Sequence, residues 1–172
     1  SDAAGAKIVF VKSDGNDTTG DGSEAKPFAT ITKALATEDV TEIKLLSDIS
    51  YVNNEGRGIV FSKDVTLNLN GKILNLNVKA KDNNGSYSAF GILVASPSTA
   101  ISDLDVSFKD GTINFNCTYP EGAKSTDRGY GSNWALGIYG PENGTAVTLD
   151  VSNVNLTSNE YAVVPFGIES MK

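Results

Sequence analysis

The residues best suited to chemistry cluster in three segments of this 172-residue chain. Tyr51 and Arg57 precede a short Gly-Ile run, Tyr87 precedes the next, and Tyr119, Lys124, Asp127, Arg128, Tyr130, Asn133 and Trp134 precede a third; Tyr161 stands before a fourth. Aromatic rings beside Arg, Asp and Asn suit a sugar: its apolar face stacks on a ring, and its hydroxyls take forked hydrogen bonds. Arg57, Tyr87, Asp127, Arg128, Tyr130 and Trp134 are the candidate ligand-binding residues. The 118–135 segment is the sharpest candidate, holding the only Trp and one of two Arg. The alternative for these aromatics is packing of the loops onto the body beneath them.

Other constellations carry weaker chemistry. Asp14, Asn16, Asp17 and Asp21, with Glu24, offer the closely spaced oxygens that calcium takes. They lack EF-hand spacing, and a turn whose side chains bond its own backbone is the favoured reading. Carboxylate pairs for glycoside cleavage could be drawn from Glu121 and Asp127, or from Asp105 and Asp150 if their strands stack. Acidic residues on the polar side of a strand are ordinary, and no catalytic residue is assigned. Lys72 has no neighbours in sequence to make it a base. Asn75, Asn114 and Asn155 recur at similar places and could face sugar hydroxyls or bond one another in a ladder. The chain contains no His, so His-based triads and His metal sites are excluded within these residues. No cofactor is expected, apart from calcium at the loop just named.

These residues must be positioned by a repeating frame. Gly58-Ile59-Val60-Phe61 is followed by alternating Val65–Asn70 and then Asn-rich Ile73–Val78. The same three beats return at 90–94, 104–108 and 112–116, and again at 136–139, 147–151 and 154–157. A fourth cycle opens at 162–168. Alternation of apolar and polar residues marks strands with one buried face. A repeated strand triplet marks a solenoid whose units bury their apolar faces only by stacking. Val65, Leu67, Leu69, Val106, Phe108, Val147, Leu149 and Val151 should point inward, with Phe108 between Leu69 and Val151. The long segments 51–57, 79–89 and 118–135 all precede the Gly-Ile strand, so they should fall on one edge. The one helical pattern is Pro27–Ala36, with Phe28, Ile31 and Leu35 on one face and Pro27 in its first turn.

Phe10-Val11-Lys12-Ser13-Asp14-Gly15-Asn16-Asp17, then Pro27-Phe28-Ala29-Thr30-Ile31 and Lys33-Ala34-Leu35, resemble the N-terminal entry of the pectate-lyase-like β-helix superfamily. Ile43–Ile49 and Val65–Lys72 are similar to stretches of secreted and cell-surface bacterial β-helix proteins. The resemblance covers residues 8–78. It implies an all-β right-handed parallel β-helix with an N-terminal capping helix. Residues 8–50 would form the entry strand, loop, cap and first coil of a single domain, and 51–172 the successive coils. The superfamily spans lyases, glycosidases, tailspikes and adhesins, so the fold carries no activity by itself.

Net charge is −7, which repels phosphate backbones and excludes nucleic acid as a natural partner. No stretch is long and apolar enough to insert in a membrane. A single Cys allows no internal disulfide. The leading expectation is a non-catalytic module, extracellular or at the cell surface, touching a polysaccharide or surface glycan through its loop edge. The alternatives are the N-terminal part of a polysaccharide lyase or glycoside hydrolase, and a structural stalk. A bare last coil would call for a cap, other domains or copies of the same chain.

Overall fold

A computed structural model describes residues 5–97, 99–123, 128–140 and 145–166. The strands are β1 (Ile8–Val11), β2 (Glu42–Leu45), β3 (Ile49–Asn53), β4 (Ile59–Phe61), β5 (Val65–Asn68), β6 (Ile73–Lys79), β7 (Lys81–Asn83), β8 (Ser86–Ala95), β9 (Leu104–Thr118), β10 (Arg128–Tyr139), β11 (Val147–Ser158) and β12 (Tyr161–Phe166). Among the described residues one helix, α1 (Ile31–Leu35), lies between β1 and β2.

The fold is all-β and its pairing is almost wholly parallel. One ladder runs β1–β2–β5 and then the N-terminal half of β9 and of β11. A second runs β3–β6 and then the C-terminal halves of β9 and β11. The third runs β4–β8–β10–β12. Among the described residues only the β7–β8 hairpin is antiparallel. Each circuit of the chain visits first, second and third ladder in turn. This is the three-beat pattern of the sequence: alternating strands form the first ladder, Asn-rich strands the second, Gly-Ile strands the third.

After the first circuit, the corner between first and second ladders uses left-handed backbone: Asn70 (φ 52°) with Gly71 (φ 74°), then Asp110 (φ 61°), then Asn153 (φ 54°). Asn and Asp tolerate this region better than other side chains because they bond locally. Asn70 donates to Leu45 O across circuits (2.9 Å), and Asn153 donates to Asp110 Oδ1 (3.1 Å). Asn70→Val, with a β-branched side chain at positive φ, is expected to cost about 1–2 kcal/mol in a denaturant titration, whereas Asn70→Gly stays within about 1 kcal/mol.

Other acidic side chains stitch circuits together. Asp48 accepts Ile73 N–H (2.9 Å), Asp64 accepts Asp105 N–H (2.8 Å) and Asp103 accepts Ala146 N–H (2.8 Å). An amide at or next to the start of a strand thus finds a partner in the preceding circuit.

Val65, Leu67, Leu69, Val106 and Phe108 are buried as the alternation requires. The register corrects one pairing: Phe108 lies opposite Leu67 rather than Leu69, and opposite Val151 on its other side. Two further expectations are corrected at β11. Val147 and Leu149 are half-buried and Val151 is 47% exposed. Among the described residues β11 pairs only with β9, so nothing covers its far side.

The helix is shorter than the expected 27–36. Asp17 accepts the N–H groups of Ala29 (2.8 Å) and Thr30 (3.1 Å) and the Thr30 hydroxyl (2.7 Å), and Phe28 bridges to Val11 in extended form. The helix therefore starts at Ile31, capped by Thr30 accepting Lys33 N–H. Phe28, Ile31 and Ala34 are buried, while Leu35 is only half-buried. Asp17→Ala removes all three bonds and is expected to cost about 1–3 kcal/mol in a denaturant titration.

Candidate functional site

The described parts of the long segments share one edge, where the second ladder hands the chain to the third. Residues 54–58 come first. Tyr51 donates its hydroxyl to the carbonyls of Arg57 (2.8 Å) and Gly58 (3.1 Å), and Asn53 Oδ1 accepts from the amides of Glu55 and Arg57. Gly56 sits at φ +74°, where a Cβ would lie 2.3 Å from Ser88 O. The loop is thus pressed against the β7–β8 hairpin, to which Glu55 also pairs through Lys81 (3.2 Å). This holds Arg57 at the surface with its guanidinium 5.7 Å from the Phe90 ring.

Phe90 begins an aromatic row. Its register partner is Trp134, whose partner in turn is Tyr161. The Phe90 and Trp134 rings stack at 5.2 Å with 23° between their planes. The Trp134 ring also lies over Gly137, where a Cβ would come within 2.4 Å of it. Trp134 is consequently only 8% exposed. This corrects its expected role: its faces are taken by protein packing. The open ring of the row is Tyr161, 58% exposed.

Beside this row lies a polar chain. Ala89 N–H donates to Asn133 Oδ1 (2.7 Å), Asn133 Nδ2 donates to the Tyr119 hydroxyl (2.9 Å), and that hydroxyl donates to Glu160 Oε1 (2.6 Å). The Tyr87 ring meets Tyr119 edge-on at 6.4 Å. Next to it the Asn159 amide spans the Cys117 backbone, accepting from its N–H and donating to its carbonyl, both at 2.8 Å. Asn159 thus copies a strand partner with a side chain.

Burial, aided by the bond to Glu160, pushes the Tyr119 hydroxyl well above the usual tyrosine value. A raised folded-state value means the native state holds this proton more tightly. The contribution is complete below the unfolded value of about 10 and is lost as pH rises beyond it. In an alkaline absorbance titration of the six tyrosines, one is expected to ionise only as the fold opens. Tyr119→Phe should remove that late class. Its survival in the variant would assign it elsewhere.

Of the expected ligand-binding residues, Arg57, Tyr87 and Trp134 are brought to this edge. The register opposes Arg128 to Tyr87, and Tyr130 follows on the same strand, β10. Asp127 and Lys124 lie outside the described residues. Phe90 and Glu160 were missed by the sequence reading. Phe90 sits in a strand pattern, and Glu160 gains a role only when the circuits stack.

The other candidates do not assemble. Asp14 pairs with Lys12 (3.5 Å), Asn16 accepts from Thr18 and Thr19, Asp17 caps the helix approach, and Asp21 accepts from Ser23. Those bonds to Ser23 hold the Asp21 carboxyl below its usual value. Asp14 is thus paired with a side-chain cation and the other three accept backbone amides of residues 18–30, and among the described residues no cluster of three or more His, Cys, Asp or Glu is placed to hold a metal. Asp105 lies opposite Thr148 and Asp150 opposite Ser107, so this pair is offset rather than stacked. Lys72 occupies the corner between first and second ladders, away from the edge. Asn155 lies opposite Thr112, and Thr157 instead continues the row of Asn75 and Asn114.

Comparison with family models, curated proteins and solved structures gives no match to this chain.

Proposed function

We propose that this chain is a right-handed parallel β-helix module, secreted or displayed at a cell surface, that contacts glycans through its loop edge without cleaving them. The handedness is supported by the ladder order: parallel strands joined by a crossover wind right-handedly in about 98% of cases. Residues 27–35 act as the N-terminal cap.

The observation that carries the glycan reading is the alignment of Arg57, Phe90, Trp134 and Tyr161 along one edge, beside Tyr87, Tyr119 and Glu160. Tyr161 offers an open ring, Arg57 an exposed fork of donors, and Glu160 a carboxylate fixed by Tyr119. Phe90 and Trp134 serve as the rigid base that keeps these groups in register. A single contact of this kind binds in the millimolar range, about 4 kcal/mol, and gains avidity when many copies share a surface.

The test is calorimetric titration of a glycan panel against the chain and its Tyr161→Ala and Arg57→Ala variants. The expected result is weak binding of at least one glycan, reduced about tenfold or more by each substitution. Binding that ignores both substitutions would remove the edge from the reading.

A further inference from the structure

The three outer faces differ in chemistry. The first ladder carries charges, including Glu42, Lys44, Asp105, Lys109 and Asp150. The outward positions of the second ladder, among the described residues, carry charge only at Lys79, at one margin. In a chain of net charge −7, an uncharged face is a distinct surface.

That face is built from side-chain amides bonded across circuits. Asn114 Nδ2 donates to Asn75 Oδ1 (3.1 Å), and the Thr157 hydroxyl donates to Asn114 Oδ1. In the next column Asn116 Nδ2 donates to Asn77 Oδ1 (3.1 Å). An amide has two N–H donors and two acceptor lone pairs. Asn114 uses one of each on its neighbours, and Asn116 uses one N–H. The second N–H of each, fixed by the planar amide, is directed away from its rail. The result is a stiff lattice with rungs about 4.8 Å apart and columns roughly 6.6 Å apart along the strands. Val52, 67% exposed, sits opposite Asn77 and adds an apolar surface to the same column.

We propose that this face binds an extended, uncharged polysaccharide lying along the stack. The charge pattern selects the occupant. A polyanion meets the repulsion of the whole chain and finds no cation here except Lys79, and a polycation would seat on the acidic surfaces instead. A neutral glycan loses no ion pairing on docking, and its hydroxyls both donate and accept, as the lattice does. Because the amides are already held by one another, little side-chain freedom is lost on binding. The inference rests on the glycan reading above and names its ligand class. The strands of the second ladder run out into the loop edge, so the amide columns lie beside the Arg57–Tyr161 edge and run parallel to it along the stack.

Native affinity electrophoresis tests it, with galactomannan, hydroxyethylcellulose or dextran in the gel and polygalacturonate as the charged control. Wild-type chain should be retarded by at least one neutral polymer and not by polygalacturonate. Asn116→Glu should weaken the retardation at least tenfold. Val52→Glu, at an exposed position outside the amide bonds, should do the same with an unchanged thermal midpoint. Retardation that survives both substitutions but is lost in Tyr161→Ala overturns the amide-face proposal and leaves the loop-edge reading standing. Retardation by no polymer overturns both. Retardation by polygalacturonate alone overturns the neutral-ligand assignment.

Discussion

Trp134→Ala is expected to lower the stability of this chain by about 3–5 kcal/mol, the usual cost of emptying a buried aromatic site. The indole is 8% exposed, stacked on Phe90 at 5.2 Å and seated over Gly137. Its removal leaves the outer side of Phe90 bare and opens a void above a glycine that has no side chain to fill it. Chemical denaturation with matched slopes measures the loss. A midpoint unchanged from wild type would mean that the ring is not part of the packing. The result also decides how a loss of glycan binding in this variant is read: as unfolding of the base under the site rather than removal of a contact.

Phe108→Ala is expected to cost a similar amount, about 3–5 kcal/mol. Phe108 is 1% exposed, lies between Leu67 and Val151 in register, and meets the Phe61 ring edge-on at 5.0 Å. It joins first and third ladders in the interior, so the cavity would be lined from two sides. The same column supplies its own control. Val151 is 47% exposed, and Val151→Ala should change stability by about 0.5 kcal/mol or less. Equal losses at the two positions would show that β11 is covered in solution, because an apolar residue costs much only where its removal leaves a cavity.

The ladders were legible because period-two alternation survives in Val65–Leu69 and Leu104–Phe108, and because the first three Gly-Ile runs fall at or within strands of the third ladder. Register was not legible. The first-to-second corner takes Leu69 to Lys72 in one circuit but only Asp110 and Gly111 in the next. Phe108 was misplaced against Leu69 because β9 opens two residues earlier than β5, so that Val106 rather than Leu104 faces Val65. Asn155 was misplaced against Asn114 because Val154 lies opposite Gly111, which sets Asn155 opposite Thr112. The helix was overdrawn at its start because the carboxylate of Asp17, distant in sequence, holds Ala29 and Thr30 out of it. Trp134 looked like an open platform because its neighbours in sequence are small and polar. The ring that covers it, Phe90, arrives from the preceding circuit. Glu160 has the same history: nothing near it in sequence foretells Tyr119.

The most direct measurement of the central claim is a residue-resolved NMR titration with a glycan that binds in the calorimetric panel. The account predicts dose-dependent shifts centred on Arg57, Tyr87, Phe90, Tyr119, Glu160 and Tyr161, with the cap residues Phe28, Ile31 and Ala34 unmoved. Shifts confined to the charged outer face of the first ladder or to the 13–26 loop, with the edge silent, would contradict it.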